Sequence, residues 1–93
     1  MTNFEELLDL SKNIITTFKG KILNIKRPYL YFGPVTLQYL PYGGIQLVYD
    51  HQLILTTKNG FVASKELSYD GKELTVDEFV KLYPELVNEI LPN

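Results

Sequence analysis

Apolar residues recur along this chain at two different periods. Phe4, Leu7, Leu8, Ile14, Ile15 and Phe18 fall at helical spacing, and Asn3 followed by Glu6 has the form of a capping box. The pattern predicts an amino-terminal helix over residues 4 to 18, with Lys19 at the negative end of its dipole and Gly20 in the C-cap position. From residue 21 to 67 the chain is rich in Ile, Leu, Val, Tyr, Phe and Thr, broken by Pro28, Gly33-Pro34, Gly43-Gly44 and Asn59-Gly60. That is the punctuation of strands and turns, and it predicts an antiparallel meander of about four to six strands.

Because side chains alternate across a strand, a slip of one residue inverts every position, so the registers follow from asking which loop lengths gather the apolar residues on one face. A three-residue loop Tyr42-Gly43-Gly44 sets Pro41 opposite Ile45, Tyr39 opposite Leu47 and Leu37 opposite Tyr49. A loop Lys58-Asn59-Gly60 sets Thr57 opposite Phe61, Leu55 opposite Ala63 and Leu53 opposite Lys65. Both loops then end on a glycine, where a type I turn with a bulge needs a left-handed residue. Asp50-His51-Gln52 forms the turn between them. The expected core face is Leu37, Tyr39, Ile45, Leu47, Tyr49, Leu53, Leu55, Phe61 and Ala63, with Thr36, Gln38, Leu40, Gln46 and Val48 on the other side. On this register Leu47→Ala costs about 2 to 5 kcal/mol and Gln46→Ala almost nothing. Residues 21 to 32 carry apolar groups at both parities and read as a strand broken at Pro28.

Tyr69-Asp70-Gly71-Lys72 reads as a tight turn. Thr75 with Glu78 offers a second capping box, opening a helix through Phe79, Val80 and Leu82 that kinks at Pro84 and continues through Leu86, Val87, Ile90 and Leu91. The sequence thus predicts one α+β domain over residues 1 to 93: an amino-terminal helix, an antiparallel meander and a kinked carboxyl-terminal helix, both helices on one face of the sheet.

Composition narrows the chemistry. The 93 residues include no cysteine, which removes disulfides, thiolate nucleophiles and cysteine-based zinc sites. No apolar run approaches the ~20 residues of a membrane span and the start lacks a basic leader, so a cytoplasmic protein without membrane contact is the expectation. Lysines far outnumber the single arginine, and Asn and Ile are frequent, as in an AT-rich bacterial or phage genome. The net charge of -2 is unevenly spread: Lys12, Lys19, Lys21, Lys26 and Arg27 stand without an acid between Asp9 and Asp50, and acids dominate after Glu66.

Candidate catalytic groups are sparse. His51, the one histidine, lies in an expected turn among polar neighbours, and Ser11, Ser64 and Ser68 sit in no nucleophile motif. Asp70, Glu73, Asp77 and Glu78 form the densest carboxylate group, but their spacing fits no calcium loop and Glu78 is claimed by the capping box. The glycines match no phosphate-binding pattern. No catalytic residue, metal or cofactor is assigned, and no enzymatic activity is expected.

Tyrosine is the departure from average: seven residues, with Tyr29, Tyr31, Tyr39, Tyr42 and Tyr49 crowded into one stretch. Tyrosine buries a ring while keeping its hydroxyl wet, which suits contact surfaces as well as strands. The first functional expectation is a small protein-binding module of inhibitor, immunity-protein or phage-antagonist type. It would contact another protein, or a second copy of itself, through Tyr29, Tyr31, Tyr42, Leu40 and Val48 and an exposed sheet edge. The alternative, ranked behind it, is binding of single-stranded nucleic acid, with Tyr29, Tyr31 and Phe32 stacking on bases and Lys19, Lys21, Lys26 and Arg27 meeting phosphates.

Overall fold

The segment expected to be the first helix is extended instead. In the computed structural model, which describes residues 1–36 and 38–93, Ile14–Phe18 form strand β1, and residues 14, 16 and 18 are buried in alternation. The run Ile-Ile-Thr-Thr is β-branched and favours a pleated surface over a helix. Asn3 does begin a turn, but as a local one: its Oδ1 accepts the amide of Glu5 at 2.9 Å and its carbonyl accepts the amide of Glu6 at 3.2 Å. Asp9 repeats the device, accepting from both the amide and the hydroxyl of Ser11, bonds that hold its carboxyl below the usual range. Lys19 and Gly20, both at positive φ, form the two-residue turn into β2 (Lys21–Lys26). A left-handed glycine serves a hairpin as well as a C-cap, so the same residue fits both readings.

The other strands are β3 (Tyr29–Leu30), β4 (Ile45–Tyr49), β5 (Gln52–Thr57), β6 (Gly60–Ser64), β7 (Glu66–Tyr69) and β8 (Lys72–Thr75), followed by helix α1 (Val76–Leu82) and a 3-10 turn at Pro84–Leu86. They build two four-stranded antiparallel sheets, ordered β1-β2-β7-β8 and β3-β6-β5-β4. The expected meander flanked by two helices is therefore replaced by two packed sheets with one short helix. Of the carboxyl-terminal signals the helix start holds, since Thr75 and Glu78 complete a reciprocal capping box whose bonds lower the Glu78 pKa, but the expected continuation past Pro84 does not: a single 3-10 turn ends at Leu86, Val87 is extended, and Ile90 bridges Gly44.

The sheets are joined at a corner. β2 pairs with β7 and β3 with β6, and the offset is the same on both sides: Lys26 opposes Glu66, and Tyr29 opposes Ala63. A single two-stranded ribbon is thus creased at Arg27-Pro28 and Ser64-Lys65, the way strands pass between orthogonal sheets. Arg27 takes φ of 49°, and the buried Ser64 hydroxyl bridges the crease, lying against the carbonyls of Lys26 and Glu66. The break read at Pro28 is this corner.

Between the sheets lies the main core. Ile14, Phe18, Leu23, Ile25, Leu67, Tyr69 and Leu74 come from one sheet, and Ile45, Leu53, Leu55 and Val62 from the other. Phe4, Val76, Phe79, Leu86 and Leu91 close its openings.

The expected registers fail for three local reasons. Residues 58 and 59 alone make the β5–β6 turn, so Thr57 pairs with Gly60, and Leu55 with Val62 rather than Ala63. In β4 a bulge between Ile45 and Leu47 adds one residue. Asp50 and His51, both at positive φ, make a two-residue turn that pairs Tyr49 with Gln52. Ile45, Leu53 and Leu55 therefore keep the main core, joined by Val48, while Leu47, Phe61 and Ala63 belong to a second cluster with Tyr31 and Ile54 on the opposite face. Tyr39 and Tyr49 are exposed, Gln46 and Leu40 are buried, and Leu37 lies outside the described residues.

A candidate protein-binding surface

The chain from Phe32 to Tyr42 has neither helix nor strand among its described residues, yet it is held in place at three points. Tyr31 is buried and its hydroxyl donates to the carbonyl of Pro34 at 2.6 Å, lying so close to Gly33 that a Cβ there would fall 2.6 Å from the oxygen. Gln46, only 1% exposed because the bulge turns it inward, donates from Nε2 to the carbonyl of Gln38 at 2.8 Å and to Thr36, while its Oε1 accepts from the Thr56 hydroxyl. Leu40 packs beneath Gly44, whose amide donates to the carbonyl of Pro41 at 3.0 Å. Between these anchors the loop projects Phe32, 90% exposed, and Tyr39, 93% exposed.

Exposed aromatic rings in an anchored loop differ from scattered surface apolar residues, because the loop gains nothing for its own core by presenting them. From Pro28 to Tyr49 there is no charged side chain either, so the surface is aromatic and neutral.

The expected contact residues divide. Tyr42 is exposed. Tyr29 is half-buried and its hydroxyl donates to Gln52; burial, with the Asp50 carboxylate nearby, raises its phenol pKa. Tyr31 and Leu40 are buried anchors of the loop, and Val48 packs partly against the main core. Tyr39 had been assigned to the core, and the framing of residues 33 to 41 by Gly33-Pro34 and Pro41 was the signal for a loop there instead. The edge of β4 is occupied by the chain itself: Ile45 exchanges hydrogen bonds with Asn88 and Glu89, and Leu91 donates to Gly43 at 2.8 Å. On β1 Thr2 plays the same part, donating to the carbonyl of Ile15 at 2.7 Å. The outer edge strand β8 carries Lys72 and Glu73, charges that discourage edge-to-edge pairing.

A groove of about 240 Å³ runs beside Tyr39 and Tyr42, completed by Pro41 and Glu5. Glu5 owes its position to Phe4, which is fully buried against the Gly43 turn and whose amide donates to Asn93 Oδ1 at 2.7 Å. Gly43 has φ of +92°, and a Cβ there would stand 2.6 Å from the carbonyl of Leu91 and 3.1 Å from the Phe4 ring. Gly43→Ala is therefore expected to destabilise by on the order of 2 kcal/mol, from left-handed strain plus displacement of Phe4 or Leu91, read as a lowered urea midpoint.

Lys19, Lys21, Lys26 and Arg27 each lie beside a carboxylate. Lys19 pairs with Glu85 at 3.2 Å, Lys21 with Asp70 at 3.6 Å, Arg27 with Glu66 at 3.5 Å, and Lys26 with Glu73. Lys26, Arg27 and Tyr29 do line one hollow of about 260 Å³ with Lys65, but Glu66 lines it too. The carboxylates Asp70, Glu73 and Asp77 meet Lys21, Lys26 and His51, and Glu78 caps α1, so each faces its own partner. Among the described residues no helix is long and apolar enough to cross a membrane. The chain matches no family model, no curated protein and no solved structure.

Proposed function

We propose that this is a non-enzymatic protein-binding module whose contact surface is the neutral loop from Phe32 to Tyr42. The observation that carries the reading is the near-complete exposure of Phe32 and Tyr39 on a loop that Tyr31, Leu40 and Gln46 tie to the body of the protein. Large rings carried on an already positioned backbone cost less ordering entropy when a partner covers them, and such rings dominate the energetics of protein interfaces. An inhibitor or antagonist needs nothing more, since occupancy of the partner is the whole activity.

Binding of single-stranded nucleic acid draws support from the hollow that gathers Lys26, Arg27, Tyr29 and Lys65. Two of those cations are already met by carboxylates, and Tyr29 and Tyr31 spend their hydroxyls and much of their rings inside the protein. A phosphate would have to displace Glu66 and Glu73 from their partners, and base stacking would have to proceed without Tyr31.

The two readings separate in a capture experiment on an extract of cells that express the protein. With the wild-type chain as bait, a specific protein partner is expected. The double variant Phe32→Ser and Tyr39→Ser should lose it, since interface anchors of this kind contribute about 2 kcal/mol or more each. A control carrying Lys26→Gln and Arg27→Gln should retain it. Capture of single-stranded RNA or DNA instead, weakening steeply with salt and abolished in the control, would transfer the function to the basic hollow.

A further inference from the structure

We infer that the groove formed by Glu5, Tyr39, Pro41 and Tyr42 receives a cationic side chain, arginine or lysine, from the protein partner. The inference rests on the protein-binding reading above and names the chemistry of the contact. Two tyrosine rings and a proline line the groove together with Glu5, so its surface mixes ring faces with polar atoms. A guanidinium or ammonium in such a place gains from the ring faces and from the charge together, whereas an aliphatic side chain gains only from the walls and an acidic one is repelled.

The charge is available. Among the described residues Glu5 makes no ion pair, in contrast to Glu66, Glu73 and Glu85, each of which is met by a lysine or arginine. Its neighbour Glu6 is also exposed and without an ion pair among the described residues. No cation comes from the loop side, because residues 28 to 49 are uncharged. The chain thus presents a carboxylate beside aromatic rings and supplies no positive charge of its own from that loop. The groove is also built rather than incidental. The backbone of Glu5 is held between the buried Phe4 and the Asn3 side chain that accepts its amide hydrogen, and the backbones of Tyr39 and Tyr42 flank the buried Leu40 and Gly43, from which their exposed rings extend.

The test is a titration of the whole protein with acetyl-Gly-Arg-Gly-amide, followed by the NMR shifts of Glu5, Tyr39 and Tyr42, with the norleucine and glutamate tripeptides as comparisons. The arginine peptide should produce saturable shifts confined to the groove, and the norleucine peptide should bind at least about fivefold more weakly. Glu5→Gln and Tyr39→Ala should each weaken the arginine peptide by a similar factor while leaving the remaining spectrum in place. Equal binding of the norleucine and arginine peptides, or no shift at the groove, would overturn the inference. Because Phe32 lies outside the groove residues, the capture experiment stands apart from this one. If capture still depends on Phe32 and Tyr39, only the cation preference falls; if capture is indifferent to them, the reading of the loop falls as well.

Discussion

Phe79→Ala is expected to remove about 3 to 5 kcal/mol of stability, the largest effect of any single truncation in this chain. Phe79 is the fully buried member of a group of four mutually packed rings, with ring centroids 5.5 Å from Phe18, 5.2 Å from Tyr69 and 5.4 Å from Tyr83. These edge-on and tilted contacts add to the burial, and they tie α1 to β1 and β7. Tyr69 reinforces the group, its hydroxyl donating to the carbonyl of Phe18 at 2.7 Å, and burial raises its phenol pKa. Since a domain of this size has a total stability of about 5 to 15 kcal/mol, urea denaturation should find the variant near the limit of folding. Phe79→Leu should recover much of the loss. A change below about 1 kcal/mol in Phe79→Ala would mean that α1 is not anchored by this ring.

Gln46→Ala is expected to cost about 2 to 3 kcal/mol, more than Leu47→Ala, which reverses the order that the period-two register implies. Truncating the fully buried Gln46 side chain leaves a void and strips the carbonyl of Gln38 and the half-buried Thr56 hydroxyl of their partner, whereas Leu47 is only half-buried. Gln46→Glu should be worse, because a carboxylate cannot donate to those carbonyls. Hydrogen exchange supplies the second readout: amides of the loop should exchange faster in Gln46→Ala while those of β2 and β7 stay protected. Partner capture should fall with loop order, although Gln46 itself touches no partner. If Leu47→Ala proves the more destabilising of the two, the bulge is misplaced.

Several elements were legible because a single local rule governs them. Thr75 with Glu78 could only be a helix start, Pro84 only an interruption, and Asp70-Gly71 only a tight turn. The registers were not legible, because β5 is covered on both faces: Leu53 and Leu55 enter the main core while Ile54 enters the second cluster. With apolar residues wanted on both sides, alternation carries no sign. The bulge at Gln46 then inverted the parity of β4, and no residue pattern announces a buried glutamine that serves a loop. The amino-terminal segment failed by coincidence of period: Ile14 and Phe18 are four apart, which suits a helical face as well as a strand face. For the surface, the excess of tyrosine pointed to the stretch that holds the exposed rings Tyr39 and Tyr42 and the buried anchor Tyr31. Which rings face outward depended on the anchors beneath them.

The creased ribbon also sets the order in which this chain can fold. The hairpins β1-β2, β4-β5, β5-β6 and β7-β8 each close over a short turn, so they form from neighbouring residues on fast local timescales. The ribbon instead joins Leu23 to Tyr69 and Leu30 to Val62, and nothing local brings those pairs together. The long loop has to close before the two sheets can enclose a common core, so ribbon closure is the expected rate-limiting event, and stopped-flow refolding should be slowed by changes at Leu23 or Leu67 more than by changes in the hairpin turns.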